Sequence, residues 1–86
     1  MLTEYIRAAM NGARYEILED DKSFYGEIPA CSGVFANAST LAACRDELQS
    51  VLEGWIILGL RLGHEMPVIE GIALDAAFQQ ELQEAA

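Results

Sequence analysis

Leu2, Tyr5, Ile6, Ala9 and Met10 recur at helical spacing and Asn11-Gly12 is placed to stop the run, which predicts a short amphipathic helix over residues 1–12. After Gly12 the period falls to two. Tyr15 and Ile17 alternate with Arg14 and Glu16, and the polar run Glu19-Asp20-Asp21-Lys22-Ser23 reads as a turn. A second strand is predicted from Phe24 to Ile28, ended by Pro29, whose ring nitrogen cannot donate to a ladder. Ala30-Cys31-Ser32-Gly33 makes another short connection into a third strand at Val34-Phe35-Ala36, so residues 13–37 are expected to form an antiparallel meander.

Ser39 or Thr40 then offers a hydroxyl to cap a long helix over residues 40–63. Leu41, Cys44, Leu48, Val51, Trp55, Leu58 and Leu62 follow at alternating three- and four-residue steps, one continuous apolar stripe along a rod of roughly 33 Å. Gly63 is the expected stop, and Pro67 prevents continuation. Ile56, Ile57 and Leu60 fall off the stripe, on flanks that one sheet does not fully cover. They are the predicted contacts of a homo-oligomer, a dimer or tetramer. Val68, Ile69, Ile72 and Leu74 predict a fourth strand over residues 68–74, parallel to its neighbour and reached by a right-handed crossover. Residues 76–86 suit a last helix, with Phe78 and Leu82 as its apolar anchors, that is marginal unless docked. The order α-β-β-β-α-β, with an optional final α, is that of one α+β domain, a two-layer α/β sandwich.

Composition narrows what such a domain does. At 86 residues a second domain does not fit, and 52% apolar against 22% charged residues belongs to a chain that folds. Fourteen acids against five Lys and Arg give a formal net charge of −9, which disfavours independent binding to nucleic acid or to an anionic membrane. A basic protein partner fits that charge. The longest apolar stretch, Trp55 to Leu60, is far below the ~20 residues of a membrane span, and no secretory leader pattern opens the chain, so a cytoplasmic location is expected.

Candidate chemistry is sparse. His64, the lone histidine, stands beside Glu65 without a second ligand at metal-binding spacing, and Cys31 and Cys44 form no C-x-x-C pair. A small enzyme built on Cys31, Ser32 and His64 is the alternative from another class, and it requires the three to converge in one pocket. Glu19, Asp20 and Asp21 lack the spacing and the following Gly of a calcium loop. No catalytic, cofactor or metal site is predicted, and the expectation is a non-enzymatic protein. A self-assembling structural domain without a further partner is the remaining reading.

The hairpin words Tyr15-Glu16-Ile17 and Phe24-Tyr25-Gly26-Glu27-Ile28-Pro29, the Gly33-Val34 turn, and Ser39-Thr40-Leu41 before a helix holding Leu48, Leu52 and Trp55 together resemble the HicB-like antitoxins. The likeness is to small stand-alone members, over residues 1 to about 75. It implies a partial RNase H-like fold with strand order 3-2-1-4. It also implies neutralisation, within a bacterial type II toxin-antitoxin system, of HicA, a small basic toxin that cleaves RNA. The exposed acids Glu16, Glu19, Asp20, Asp21 and Glu27 are the expected partner contacts. Many members carry a C-terminal DNA-binding segment that the acidic residues after the last predicted strand do not match. Ala30-Cys31-Ser32, Ala38 and Ala43 depart from the family pattern around the turn and the helix cap.

Overall fold

The structure, a computed structural model, describes residues 2–74. The elements run α1 (Leu2–Asn11), β1 (Arg14–Ile17), β2 (Phe24–Glu27), β3 (Phe35–Ala38) and α2 (Leu41–Arg61). The strands form an antiparallel sheet in the order β1-β2-β3, and α2 packs across β3 and β2 while α1 packs on α2. The expected α+β architecture of helices on one face of an antiparallel meander is present.

Local chemistry sets each boundary. Thr40 caps α2, its Oγ1 accepting the Ala43 N–H at 3.1 Å. At the other end Gly63 takes a positive φ of 72°, the Gly63 N–H reaches Leu60 O, and the His64 N–H reaches Gly59 O at 2.8 Å. That pair of bonds is a Schellman stop, which satisfies carbonyls the helix leaves open. In the β1–β2 turn Lys22 is left-handed, and Asp21 Oδ1 accepts the Ser23 N–H at 3.0 Å. Asn37 ties this corner to β3, its amide donating to Ser23 Oγ and to Phe24 O, each at 2.8 Å.

The core is built around α2. Cys44, Leu48, Leu52, Ile56 and Gly59 are its buried residues, and they share one core with Tyr5, Ala8, Ala9 and Met10 of α1, Ile28, Cys31 and Val34 of the β2–β3 connection, Ala36 of β3, and Met66, Ile69 and Leu74. The buried face therefore differs from the expected stripe. Leu41, Val51, Leu58 and Leu62 are exposed and Trp55 is half-buried, whereas Ile56, an expected oligomer contact, is 2% exposed. Leu60 is partly buried against the core as well, and only Ile57, at 58%, keeps the exposure expected of it. A straight stripe of three- and four-residue steps runs parallel to the helix axis. The observed row instead steps by four and slants about 26° across the axis, the natural ridge for packing on other elements.

Residues 68–74 do not form the expected fourth strand. Ile69 and Ile72 exchange backbone hydrogen bonds of 3.1 and 2.8 Å across Glu70 and Gly71, both at positive φ. Such a two-residue turn folds the segment back on itself and uses the groups that a ladder would need. Among the described residues the sheet has three strands, so the order 3-2-1-4 is replaced by β1-β2-β3. The segment still packs: Tyr5, fully buried on α1, donates its hydroxyl to Pro67 O at 2.7 Å. The final helix expected over 76–86 lies outside the described residues.

Leu52→Ala removes a side chain from the centre of this core, and we expect it to cost about 2–5 kcal/mol in urea unfolding. Tyr5→Phe leaves the Pro67 carbonyl without that donor and is expected to cost about 1–3 kcal/mol by the same measurement.

Candidate protein-binding surface

Opposed residues of an antiparallel pair share a face, so the register assigns each side chain of the sheet to one of two sides. Tyr15, Gly26 and Ala36 form one row, with Ile17, Phe24 and Ala38 beside it, on the face that carries α2. Arg14, Glu27 and Phe35, with Glu16, Tyr25 and Asn37 beside them, form the other face. Neither helix packs there. Phe35 is 57% exposed on it, and its ring stacks against Tyr25 with centroids 6.2 Å apart and planes inclined by 26°. The Tyr25 hydroxyl reaches Glu27 Oε2 in a long contact of 3.5 Å.

Two of the five predicted contact acids, Glu16 and Glu27, therefore share a face with two stacked aromatic rings, Phe35 exposed and Tyr25 half-buried; Glu27, expected to be exposed, is half-buried beside them. Glu19, Asp20 and Asp21 stand in the β1–β2 turn at one end of the hairpin, all exposed. Asp21 is committed locally, since the Ser23 side chain and N–H hold its carboxyl below the usual carboxylate range. Its contribution to the turn is present at neutral pH and lost as the pH falls through that lowered value. Tyr25 is pushed up, first by partial burial and then by the Glu27 charge.

Sequence reasoning did not single out Tyr25, Phe35, Asn37 or Arg14. The signal was the register itself: once the turn fixes Ile17 opposite Phe24, alternation puts Glu16 beside Tyr25 and Arg14 beside Glu27.

The Cys31, Ser32 and His64 set does not assemble into one pocket. Cys31 is 1% exposed, and burial pushes its thiol up to about 11. Ser32 lines one shallow cleft and His64 another, the two sharing Trp55, Glu65 and Met66, and Cys31 lines neither. A buried, protonated thiol is a poor nucleophile. Cys44 is buried as well, its Sγ 3.7 Å from Ala36 O. Among the described residues no group of three or more His, Cys, Asp or Glu is placed to hold a metal ion, and no helix is long and apolar enough to cross a membrane.

The model of the UPF0150-like family matches residues 4–67. Among solved structures, the crystal structure of TTHA0281 from Thermus thermophilus is similar at 39% identity and a TM-score of 0.79, over 84% of this chain and 89% of that one. No curated protein matches the chain.

The raised thiol pKa has two consequences. Cys31 stabilises the fold fully below its ordinary pKa of 9.0, and that contribution declines as the pH rises through about 11. At pH 8, Cys31 in the native protein is expected to react with a disulfide reagent about a hundredfold more slowly than in the urea-unfolded chain, measured by peptide mass analysis of the modified sites.

Proposed function

The chain belongs to the UPF0150-like family, and on that premise we propose that it is a HicB-like, antitoxin-type protein that binds and neutralises a small basic RNA-cleaving toxin without catalysis of its own. The observation that carries the reading is the helix-free face of the sheet. It presents stacked Tyr25 and Phe35 between Glu16 and Glu27, with the acids of the hairpin turn at one end. Aromatic side chains are the residues that most often anchor an interface, and carboxylates around them steer a cationic partner toward it. The net charge of −9 adds a field of the same sign over the whole chain.

The finer fold reading follows the same premise. We read the hairpin, the third strand and α2 as a partial RNase H-like arrangement, which among the described residues has three strands rather than the four that the resemblance implies. Nuclease activity is no part of the proposal: among the described residues no cluster of carboxylates is placed to hold a metal ion.

A second reading rests on its own observation. Ile57, Leu58, Leu62 and Val68, each more than half exposed, leave apolar surface around the C-terminal half of α2, as in a domain whose business is assembly rather than a toxin.

The test is co-expression of the native chain with a small basic HicA-like toxin, followed by affinity capture and titration calorimetry. The proposal expects a stoichiometric complex whose Kd rises about tenfold or more in the E16K/E27K double variant, mostly through a slower on-rate. A complex indifferent to both charge reversals, or none at all, sinks it. RNA cleavage by that toxin that continues in the presence of excess chain does the same.

A further inference from the structure

We infer that the free edge of β1 pairs antiparallel with the β1 of a second copy, joining two sheets into one through Tyr15 on the twofold axis. The Leu18 N–H donates to Ser23 O in the same register as the β1–β2 ladder, so hydrogen-bonded pairs fall at Leu18, Glu16 and Arg14. The N–H and C=O of Tyr15 and Ile17 consequently point away from β2, and β1 is an outer strand of the sheet. Among the described residues nothing pairs with them. On the side that carries α2, Ile17 is 59% exposed, because α2 lies over β3 and β2. An edge with open donors, open acceptors and uncovered apolar side chains is a template for another strand.

The charges on β1 choose both the occupant and the register. With Tyr15 opposite the second copy's Tyr15, Arg14 stands opposite the second copy's Glu16, and Glu16 opposite its Arg14. Both cross-strand pairs are then of opposite sign. Moving the twofold axis by one residue in either direction sets Glu16 against Glu16 or Arg14 against Arg14, like charges that disfavour those registers. In the favoured register the Ile17 N–H meets the second copy's Ala13 carbonyl, while the Ala13 N–H is already satisfied by Met10 O at 3.1 Å. β1 begins just after α1 ends, which limits the pairing to the length of β1. The opposite edge, β3, carries Phe35, Ala36, Asn37 and Ala38, with no charge to select a register. This assembly stands independently of any toxin and leaves Tyr25, Phe35 and Glu27 on the open face.

Sedimentation equilibrium of the full chain is the test. The wild type is expected to sediment at tens of micromolar as twice its 9.4 kDa mass. R14E alone and E16R alone each place like charges opposite one another and should raise the dimer dissociation constant about tenfold, while R14E/E16R together should restore it. I17P removes an outward N–H that the sheet itself does not use and should yield monomer with unchanged far-UV circular dichroism. A monomeric wild type overturns the inference. So does a dimer insensitive to R14E, E16R and I17P, which would assign the contact to β3 or α2, and so does failure of the double variant to recover.

Discussion

One slanted row of side chains on α2 holds the molecule together. Cys44, Leu48, Leu52 and Ile56 are all at most 2% exposed, and α1, β2, β3 and the segment after α2 find their apolar cover in the core built on that row. The three strands are four residues each, too short to stabilise one another by pairing alone, so the sheet persists because α2 covers one of its faces. α1 is ten residues, marginal in isolation, and is held by burial of Tyr5, Ala8, Ala9 and Met10. The tie from Tyr5 to Pro67 spans most of the chain and clamps the segment after α2 onto the helix before β1.

How closely α2 approaches the sheet is set by a missing side chain. A Cβ on Gly26 would stand 2.9 Å from the Tyr15 ring and 3.2 Å from Cys44 Sγ, so the glycine admits the tyrosine from one side and the helix from the other. Gly59 plays the same part at the far end, where a Cβ would stand 2.9 Å from Met66 Sδ. Tyr15 thereby becomes the margin of the core. Its ring lies over Gly26, and its hydroxyl is pushed up by partial burial against the opposing pull of Arg45. Beyond it, Ile17 receives little cover. The uncovered margin of β1 is thus a consequence of where α2 must sit to bury its own row.

Local signals were the legible part of the sequence. The period change at Gly12, the acidic turn, Pro29, Thr40 and Gly63 mark element boundaries through backbone chemistry that acts within a few residues, and the elements form between them. What failed required knowledge of neighbours. α2 has apolar residues all round, so Leu48, Leu52 and Ile56 compose a row as plausible as Val51, Trp55 and Leu58, and only the twist of the partner surface selects between them. Val68 to Leu74 has the composition of a strand, yet Glu70-Gly71 closes a tight turn inside it, a short-range preference that outweighs the long-range pairing. Of the candidate surface, Glu16 was legible as an exposed acid and Glu27 as a strand acid that proves half-buried, whereas the Tyr25–Phe35 stack depends on the β2–β3 register, which a sequence of three short strands does not state.

The charge of −9 acts on the two proposed associations in opposite senses. Two copies that join through β1 bring like net charges together, and the field between them opposes the encounter until salt screens it, over about 8 Å at physiological ionic strength. What holds the pair is short-ranged: backbone hydrogen bonds and the adjacent Arg14 and Glu16 contacts, which salt weakens less than the long-range repulsion. A basic partner on the open face feels the reverse, since the long-range field is what draws it in and screening removes that attraction. Joining two sheets also doubles the number of Glu27, Tyr25 and Phe35 groups on one continuous surface, so self-association strengthens the field that a cationic partner meets. Rising salt should therefore favour the dimer while it weakens capture of the partner.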